Sequence, residues 1–312
     1  MINLRTLIQA ALCFICLALG AAQGQVIKVT LLGTGAPPPV MERFGPSILV
    51  EAGEQKFIFD VGRGALQRLT QANVKYKEIQ GVFFTHLHSD HVVGFPDLWL
   101  TGWLTGRRDK PLQVWGPAGT TEMMLNLEKA FKFDIKIRPN DKASPAGAVI
   151  SAEDIKEGVV FEKNGVKITA FDVDHGLVKP AFGYRIDYGK RSVVLSGDTH
   201  YSENLIRYSK GVDLLIHEVA SREAIARMKY PTELADEILG QHTAPERAAA
   251  VFTLVKPRMA IFSHIVLPSA TEQDIIPLVR KTYTGAVELG EDLMVIVVGE
   301  KIEVHRPPAK TK

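Results

Sequence analysis

Four side chains of the types that bind metal ions lie close together near the first third of the chain. Residues 85–91 read T-H-L-H-S-D-H and contain His86, His88, Asp90 and His91. Neutral imidazoles and carboxylates are the ligands that borderline divalent ions such as zinc prefer. A polar loop that is rich in histidine by chance is the alternative. Four candidate ligands in six positions favour a metal site instead.

A short apolar run of β-favouring residues, 82–85, comes directly before these side chains and predicts a buried strand. His86 and His88 are two positions apart, so on a helix they would point in different directions. In a loop that follows a strand, alternate residues can converge on one point. The sequence therefore predicts that the metal-binding side chains lie at a strand end.

Three more side chains of the same types each follow a predicted strand. They are His175 after 168–173, Asp198 after 193–195 and His264 after 260–262. In layered α/β folds, functional groups gather where strands end, because loops are held there on rigid supports. A single such histidine would more often be structural. Four strand ends with this property together predict one site.

The remaining pattern predicts strands and helices along most of the chain. Trp99 and Trp103 are spaced i, i+4 in a predicted helix over 92–104 and are expected in the core. Residues 138–158 are weakly patterned and predict a surface excursion, with a position over the site as one option.

The N-terminus has the layout of a secretory signal peptide. Arg5 precedes an apolar run over 7–19, which is followed by small residues. We expect residues 1–24 to be removed and 25–312 to form a single metallo-hydrolase domain, periplasmic or secreted, with no stable membrane anchor. An uncleaved anchor is the alternative. Cys13 and Cys16 lie in this segment, so the mature chain would have no disulfide and no thiolate ligand.

Composition and net charge limit the kinds of binding partner that we expect. The chain has 312 residues, 46% of them hydrophobic, and a formal net charge of +2 with both signs interspersed. No basic stripe typical of nucleic-acid binders stands out, so we expect no nucleic-acid partner. A homodimer is left open.

Several segments together give a resemblance to a known family. They are residues 86–91, Asp172-Val173-Asp174-His175-Gly176, Ser196-Gly197-Asp198-Thr199 and Phe262-Ser263-His264. In this order they resemble the metallo-β-lactamase superfamily, particularly its ribonuclease Z and arylsulfatase-like branch. The resemblance covers essentially the whole mature chain. It implies an α/β fold, an αββα sandwich of two mixed β-sheets with helices on the outer faces.

The same resemblance implies a ligand set for two Zn²⁺ ions, with Mn²⁺ or iron as other options. One ion would be held by His86, His88 and His175. The other would be held by Asp90, His91 and His264. Asp198 would bridge both ions, since two neighbouring cations need an anion between them.

Two further motifs match the same branch. His217-Glu218 resembles its H-E-A-T segment, although Val219-Ala220 replaces the last two residues. His242-Thr243 resembles its H-S-T segment, whose histidine would protonate the leaving group. Glu218 is a further candidate catalytic residue, and Asp90 would orient the nucleophile. A surface position flanking a helix is the alternative for His242.

The function expected from the sequence is an exported binuclear zinc hydrolase. It would cleave a sulfate or phosphate ester of a small molecule by means of a metal-bridging hydroxide. A lactonase, a cyclic nucleotide phosphodiesterase and a weak β-lactamase are alternatives on the same metals, and a non-catalytic metal-binding protein is a third class. Ribonuclease Z carries a long arm for transfer RNA between the histidine and aspartate motifs. Here Asp198 lies only 23 positions after His175, so no such arm is expected.

Overall fold

Two β-sheets form the centre of the molecule. The computed structural model describes residues 25–138, 143–266 and 269–308. The strands are β1 Ile27–Gly33, β2 Ser47–Ala52, β3 Gln55–Phe59, β4 Gly81–Phe83, β5 Leu112–Gly116, β6 Ile150–Asp154, β7 Gly158–Lys163, β8 Val166–Asp172, β9 Phe182–Tyr188, β10 Arg191–Leu195, β11 Leu214–Ala220, β12 Met259–Val266, β13 Val287–Leu289, β14 Val295–Val298 and β15 Ile302–His305. The first sheet has the strand order β15-β14-β1-β2-β3-β4-β5-β6, and the second has the order β13-β12-β11-β10-β9-β8-β7.

Both sheets are mixed. In the first sheet the strands from β3 to β6 pair in parallel, whereas β15, β14, β1, β2 and β3 pair antiparallel. In the second sheet the strands from β10 to β13 are parallel, and β7, β8, β9 and β10 are antiparallel. The carboxyl ends of the parallel strands in each sheet therefore meet at one edge, where loops can collect functional groups.

Helices cover the outer face of each sheet. They are α1 Ala65–Gln71, α2 Ser89–Val92, α3 Phe95–Leu104, α4 Thr120–Ala130, α5 Lys132–Ile137, α6 Glu203–Tyr208, α7 Arg222–Arg227, α8 Thr232–Gln241, α9 Pro245–Val255 and α10 Glu272–Arg280. Short 3₁₀ turns occur at Tyr76–Glu78 and Pro145–Ala148. None of the helices within the described residues is long and apolar enough to cross a membrane.

The core has three layers because side chains alternate across each strand. Phe59 and Leu195 point between the sheets, where the two inner faces pack together. Their neighbours Ile58 and Val194 point outward and pack under the helices of their own sheets. This arrangement confirms the predicted αββα sandwich.

Two sequence expectations about local structure have clear outcomes. Trp99 and Trp103 are fully buried, as predicted. The surface excursion predicted for 138–158 is wrong in part, because β6 lies there and pairs with β5 at the edge of the first sheet. Only Ile150 and Ala152 of this strand pack against the core, and both stay half-buried, so its apolar pattern is short and weak. Residues 1–24, the predicted signal peptide, lie outside the described residues.

A buried carboxylate fixes the loop that follows β1. Asp292 Oδ1 accepts hydrogen bonds from the backbone and hydroxyl of Thr34, at 2.9 and 2.8 Å. Its Oδ2 accepts from the backbone of Phe44, at 2.8 Å, and pairs with the buried Arg68 guanidinium, at 2.9 Å. This network ties both ends of the loop to α1 and to the turn before β14.

We predict that Asp292→Ala lowers the free energy of unfolding by about 3–5 kcal/mol, because it leaves the buried Arg68 charge without its partner. Urea denaturation measures the change. Glu288→Ala is the matched control, since Glu288 pairs with Arg306 at the surface, and it should cost within about 1 kcal/mol. Equal losses in the two variants would contradict the role given to the buried network.

Candidate metal centre

Seven side chains converge at the edge of the sandwich where the strands end. Four groups of three among the described residues place one ligand atom each within 4.8 Å of one another. Two of these groups, His86, His88 and His175 and then Asp90, His91 and His264, match the division that the family resemblance implies. We call them the first and the second set. The other two groups contain Asp198 and cross this division, one with His86 and His91 and one with His242 and His264.

Asp198 lies between the two sets. Its Oδ2 is 3.3 Å from Nε2 of both His91 and His264. The same oxygen is 4.0 Å from Nε2 of both His86 and His175. One carboxylate oxygen is therefore near imidazole nitrogens of both sets, as a bridging ligand would be.

The first sheet contributes one continuous segment to this cluster. β4 ends at Phe83, and the loop after it carries His86 and His88. His88 then precedes α2, whose single turn places Asp90 and His91 in buried positions. A strand end and a helix start thus position four candidate ligands within six residues.

The second sheet contributes three separate segments. Gly197 carries the chain from β10 to Asp198 at a positive φ of 61°, and a Cβ there would lie 2.3 Å from the Phe182 carbonyl oxygen. His264 lies inside β12 rather than after it. The pairing of β12 with β11 shifts register at this point, and His264 has a φ of 42°. Such a bulge turns a side chain out of the strand alternation.

Neighbouring groups fix the rings of His86 and His91. Asp60 Oδ2 accepts hydrogen bonds from the Thr85 hydroxyl and from Nδ1 of His91, both at 2.8 Å. Since the Thr85 proton points to Asp60, its oxygen can accept from Nδ1 of His86 at 3.0 Å. These contacts give the neutral ring of His86 the tautomer whose unprotonated Nε2 faces the cluster, and they turn Nε2 of His91 toward the same cluster.

His175 is oriented from the other side of the cleft. Its Nδ1 donates to the carbonyl oxygen of Gln241, the last residue of α8, at 2.9 Å. The bond satisfies one of the carbonyls that a helix end leaves free. It also leaves Nε2 of His175 facing His88 Nδ1, 3.4 Å away.

The inward nitrogens of His86 and His91 test whether a metal ion fits. Both Nε2 atoms are buried and have no hydrogen-bond partner among the described residues. An unpaired buried polar atom costs roughly 1–3 kcal/mol. Coordination of a divalent cation would remove that cost, and imidazole and carboxylate are suitable donors. The cluster is therefore compatible with divalent metal binding.

Electrostatics gives the first set the protonation state that metal binding needs. Burial lowers the pKa of His86 well below its usual value and also lowers the pKa of His88 and of His175. These imidazoles are therefore neutral at physiological pH, and neutral imidazole is the form that binds a metal ion.

The second set carries the negative charge. Burial disfavours ionised Asp198, but His264 and His91 hold the pKa of Asp198 well below its usual range. Burial also disfavours ionised Asp90, but the contact with His264 outweighs burial and lowers the pKa of Asp90 to about 2. Burial also opposes the charge on His91, yet the carboxylates of Asp198 and Asp60 raise its pKa. A metal ion at His91 would therefore displace a proton.

A second buried pair lies beside the cluster. Nδ1 of His242 is 3.3 Å from Oε2 of Glu218, and the Thr243 backbone donates to Oε1 of the same carboxylate. Burial opposes a charge on His242, but Glu218 outweighs it and raises the pKa of His242 to about 9. The His242 side chain is only 12% exposed. This burial argues against a surface role flanking a helix.

The role of Asp60 and Gln241 in holding the rings was not predicted from the sequence. Asp60 directly follows β3, so the rule that functional groups follow strands would have included it. The carbonyl of Gln241 carries no side-chain signature, and no sequence pattern points to it. His217, which precedes Glu218, is fully buried and bonds the Glu218 carbonyl rather than the cluster.

We predict that Asp60→Ala weakens metal binding by roughly 10- to 100-fold, because His91 loses the acceptor that fixes its ring. Competition with a chromophoric chelator measures the affinity. Asp187→Ala removes a carboxylate that pairs with Arg185 on β9 and serves as the control. Unchanged affinity in Asp60→Ala would contradict this orienting role.

Comparisons with known proteins assign the chain to one superfamily. The model of the beta-lactamase superfamily domain matches residues 47–265. A ribonuclease Z of Mycolicibacterium gilvum is 36% identical in an alignment of 287 residues that covers 90% of this chain and 97% of the relative. A ribonuclease Z of Mycobacterium marinum is 35% identical over 285 residues, covering 90% of this chain and 99% of the relative.

Solved structures show the same fold at lower identity. The metallo-beta-lactamase fold protein YhfI from Bacillus subtilis gives a TM-score of 0.68 at 17% identity, covering 87% of this chain and 99% of that one. The short form of human tRNase Z gives a TM-score of 0.62 at 24% identity, covering 86% and 98%.

The relatives overturn two expectations from the sequence. The expected hydrolysis of small-molecule sulfate or phosphate esters is wrong, and so is the expected absence of a nucleic-acid partner, because the relatives matched over nearly the whole chain are named ribonuclease Z. They give no support to the lactonase, cyclic nucleotide phosphodiesterase and β-lactamase alternatives. Net charge misled because it sums the whole chain and does not describe any single site.

Proposed function

The chain belongs to the beta-lactamase superfamily and is a metal-dependent hydrolase, and from this premise we propose that it cleaves phosphodiester bonds in RNA. The proposal rests on one observation: a complete set of candidate ligands lies in a chain similar throughout to proteins named ribonuclease Z. A degenerate binding protein on the same scaffold would be expected to lack some of these ligands.

The proposed cofactor is a pair of Zn²⁺ ions, one in each set of three ligands, with Asp198 between them. A single zinc ion usually takes four ligands, so seven side chains exceed what one ion needs. When bound, such ions polarise phosphoryl oxygens and increase the acidity of water. The burial and ring orientation described above would keep the seven side chains in place before the metal arrives.

The chain's own residues supply the proton transfers. Asp90, ionised because of its low pKa, would accept a hydrogen bond from the attacking water and orient it. His242, protonated because of Glu218, would donate its proton to the departing oxygen of the ribose. Thr243 holds Glu218 through its backbone, so the proton donor is kept beside the cluster.

We predict that the purified zinc-loaded protein cleaves RNA and that a chelator abolishes the activity. Asp198→Ala should have the same effect, since it removes the carboxylate near both ligand sets. Gel analysis of labelled single-stranded RNA and precursor transfer RNA measures cleavage, and Asp187→Ala is the control that keeps activity. Hydrolysis of a nitrophenyl sulfate with no cleavage of any RNA would contradict the proposal.

We also predict that Glu218→Gln shifts the alkaline limb of the kcat profile to lower pH. Without the carboxylate, His242 loses its proton at a lower pH, and a general acid must be protonated to act. An alkaline limb that stays in place in Glu218→Gln would rule out this pairing.

His242→Ala should lower kcat by roughly 10²–10⁴-fold at unchanged metal content, and by less for substrates with good leaving groups.

Export remains part of the proposal. Residues 1–24 have the composition of a signal peptide, and the rest of the chain would form the mature metallo-hydrolase in the periplasm or the medium. N-terminal sequencing of the protein from fractionated cells tests this. A chain that starts at Met1 and is found in the cytoplasm would contradict it.

A further inference from the structure

A pocket of about 250 Å³ opens directly beside the candidate metal centre. One side of it consists of site residues, namely His88, Asp90, Asp198, His242 and His264. The other side is mostly hydrocarbon and consists of Ala36, Pro37, Pro38, Tyr230, Leu234, Ile238 and Val266. We call this second side the apolar wall. A cleft that combines an apolar wall with convergent polar groups is typical of a ligand site.

Helix α8 and Tyr230, two positions before its first residue, supply three of the seven residues of the apolar wall. Leu234 and Ile238 are four positions apart and therefore share one face of α8. Ile238 and Tyr230 are held in place by packing against the helix-side core of the second sheet. Leu234 is 41% exposed although it is a large apolar side chain. An anchored wall with an exposed apolar surface is ready to contact a ligand without rearrangement.

The same helix is linked to the reacting groups. The carbonyl of Gln241, its last residue, accepts the hydrogen bond from His175, and the next residue is His242. A group seated against α8 would therefore be positioned relative to both a candidate metal ligand and the proton donor. Binding at the wall and alignment at the cleaved bond are thus connected through one rigid element.

We propose that the apolar wall holds one unpaired nucleobase of the RNA, on a nucleotide next to the cleaved phosphodiester. This inference rests on the proposed function, since it takes the phosphate to lie at the metal centre. A base attached to that nucleotide reaches only nearby surfaces, and this wall is continuous with the site. The pocket volume equals that of roughly eight water molecules, close to the roughly eight to eleven non-hydrogen atoms of one base.

The composition of the wall determines how the base is recognised. Apart from the Tyr230 hydroxyl, its described side chains offer no hydrogen-bond donor or acceptor. Reading a base edge needs such groups, whereas stacking on an aromatic ring accepts any base. The wall therefore favours a base over no base and discriminates little among the four. Tyr230 is the aromatic side chain available for stacking.

Equilibrium binding to the zinc-loaded protein tests this directly. Calorimetric titrations with AMP and with ribose 5-phosphate compare two phosphates that differ only in the base. We expect AMP to bind at least about tenfold more tightly, because loss of one stacked base typically costs several-fold to a hundredfold in affinity. Tyr230→Ala should abolish the preference, and Tyr230→Phe should keep it. Equal affinities in the wild-type protein, or an unchanged preference in Tyr230→Ala, would overturn the proposal.

Two further variants separate the subsite from general damage. Tyr201→Ala removes a half-buried tyrosine that lines a different groove next to His242, and it should keep the preference. Leu234→Ala, at an exposed position, should weaken AMP and leave ribose 5-phosphate unchanged. A base preference that depends on Tyr230 supports the subsite even if no RNA is cleaved, in which case only the proposed function fails. The opposite outcome is RNA cleavage that stays the same when the nucleotide on either side of the cut bond lacks its base, together with no preference for AMP. That result overturns the subsite and leaves the proposed function standing.

Discussion

The structure depends on the convergence of unpaired imidazole nitrogens and carboxylate oxygens in one buried volume. Such a cluster is unfavourable by itself, since each buried polar atom without a partner costs roughly 1–3 kcal/mol. A divalent cation reverses the balance, because the same atoms become its ligands. The surrounding contacts serve this end. Asp60 and Thr85 hold the rings of the first-sheet histidines, and the Gln241 carbonyl holds His175.

The sandwich explains how distant parts of the sequence meet. Loops from both sheets reach the same edge, so one segment of the first sheet and three of the second can share a site. Helix α8 then extends the site beyond the metal ligands. It ends at the bond to His175, it precedes His242, and its apolar face borders the space beside the cluster. The residues proposed for metal binding, for proton donation and for substrate contact therefore lie on or beside one helix.

Much of this could be predicted from the sequence, and the failures have physical reasons. Apolar strands followed by His or Asp pointed to one site, and the motif order indicated the superfamily. The edge strand β6 was missed because it has only two apolar residues, Ile150 and Ala152, and both are half-buried. His264 follows an apolar run but lies in a bulge within β12, which pattern alone does not show. The expected absence of a nucleic-acid partner failed because net charge, a sum over the whole chain, says little about what one local site binds.

The central claim is that two metal ions occupy this cluster, and anomalous X-ray diffraction at the zinc edge tests it most directly. Crystals of the zinc-loaded protein should show two anomalous peaks. One should lie among His86, His88 and His175, the other among Asp90, His91 and His264, with Asp198 between them. No peak in the cluster, or a single peak despite excess zinc, would contradict the account.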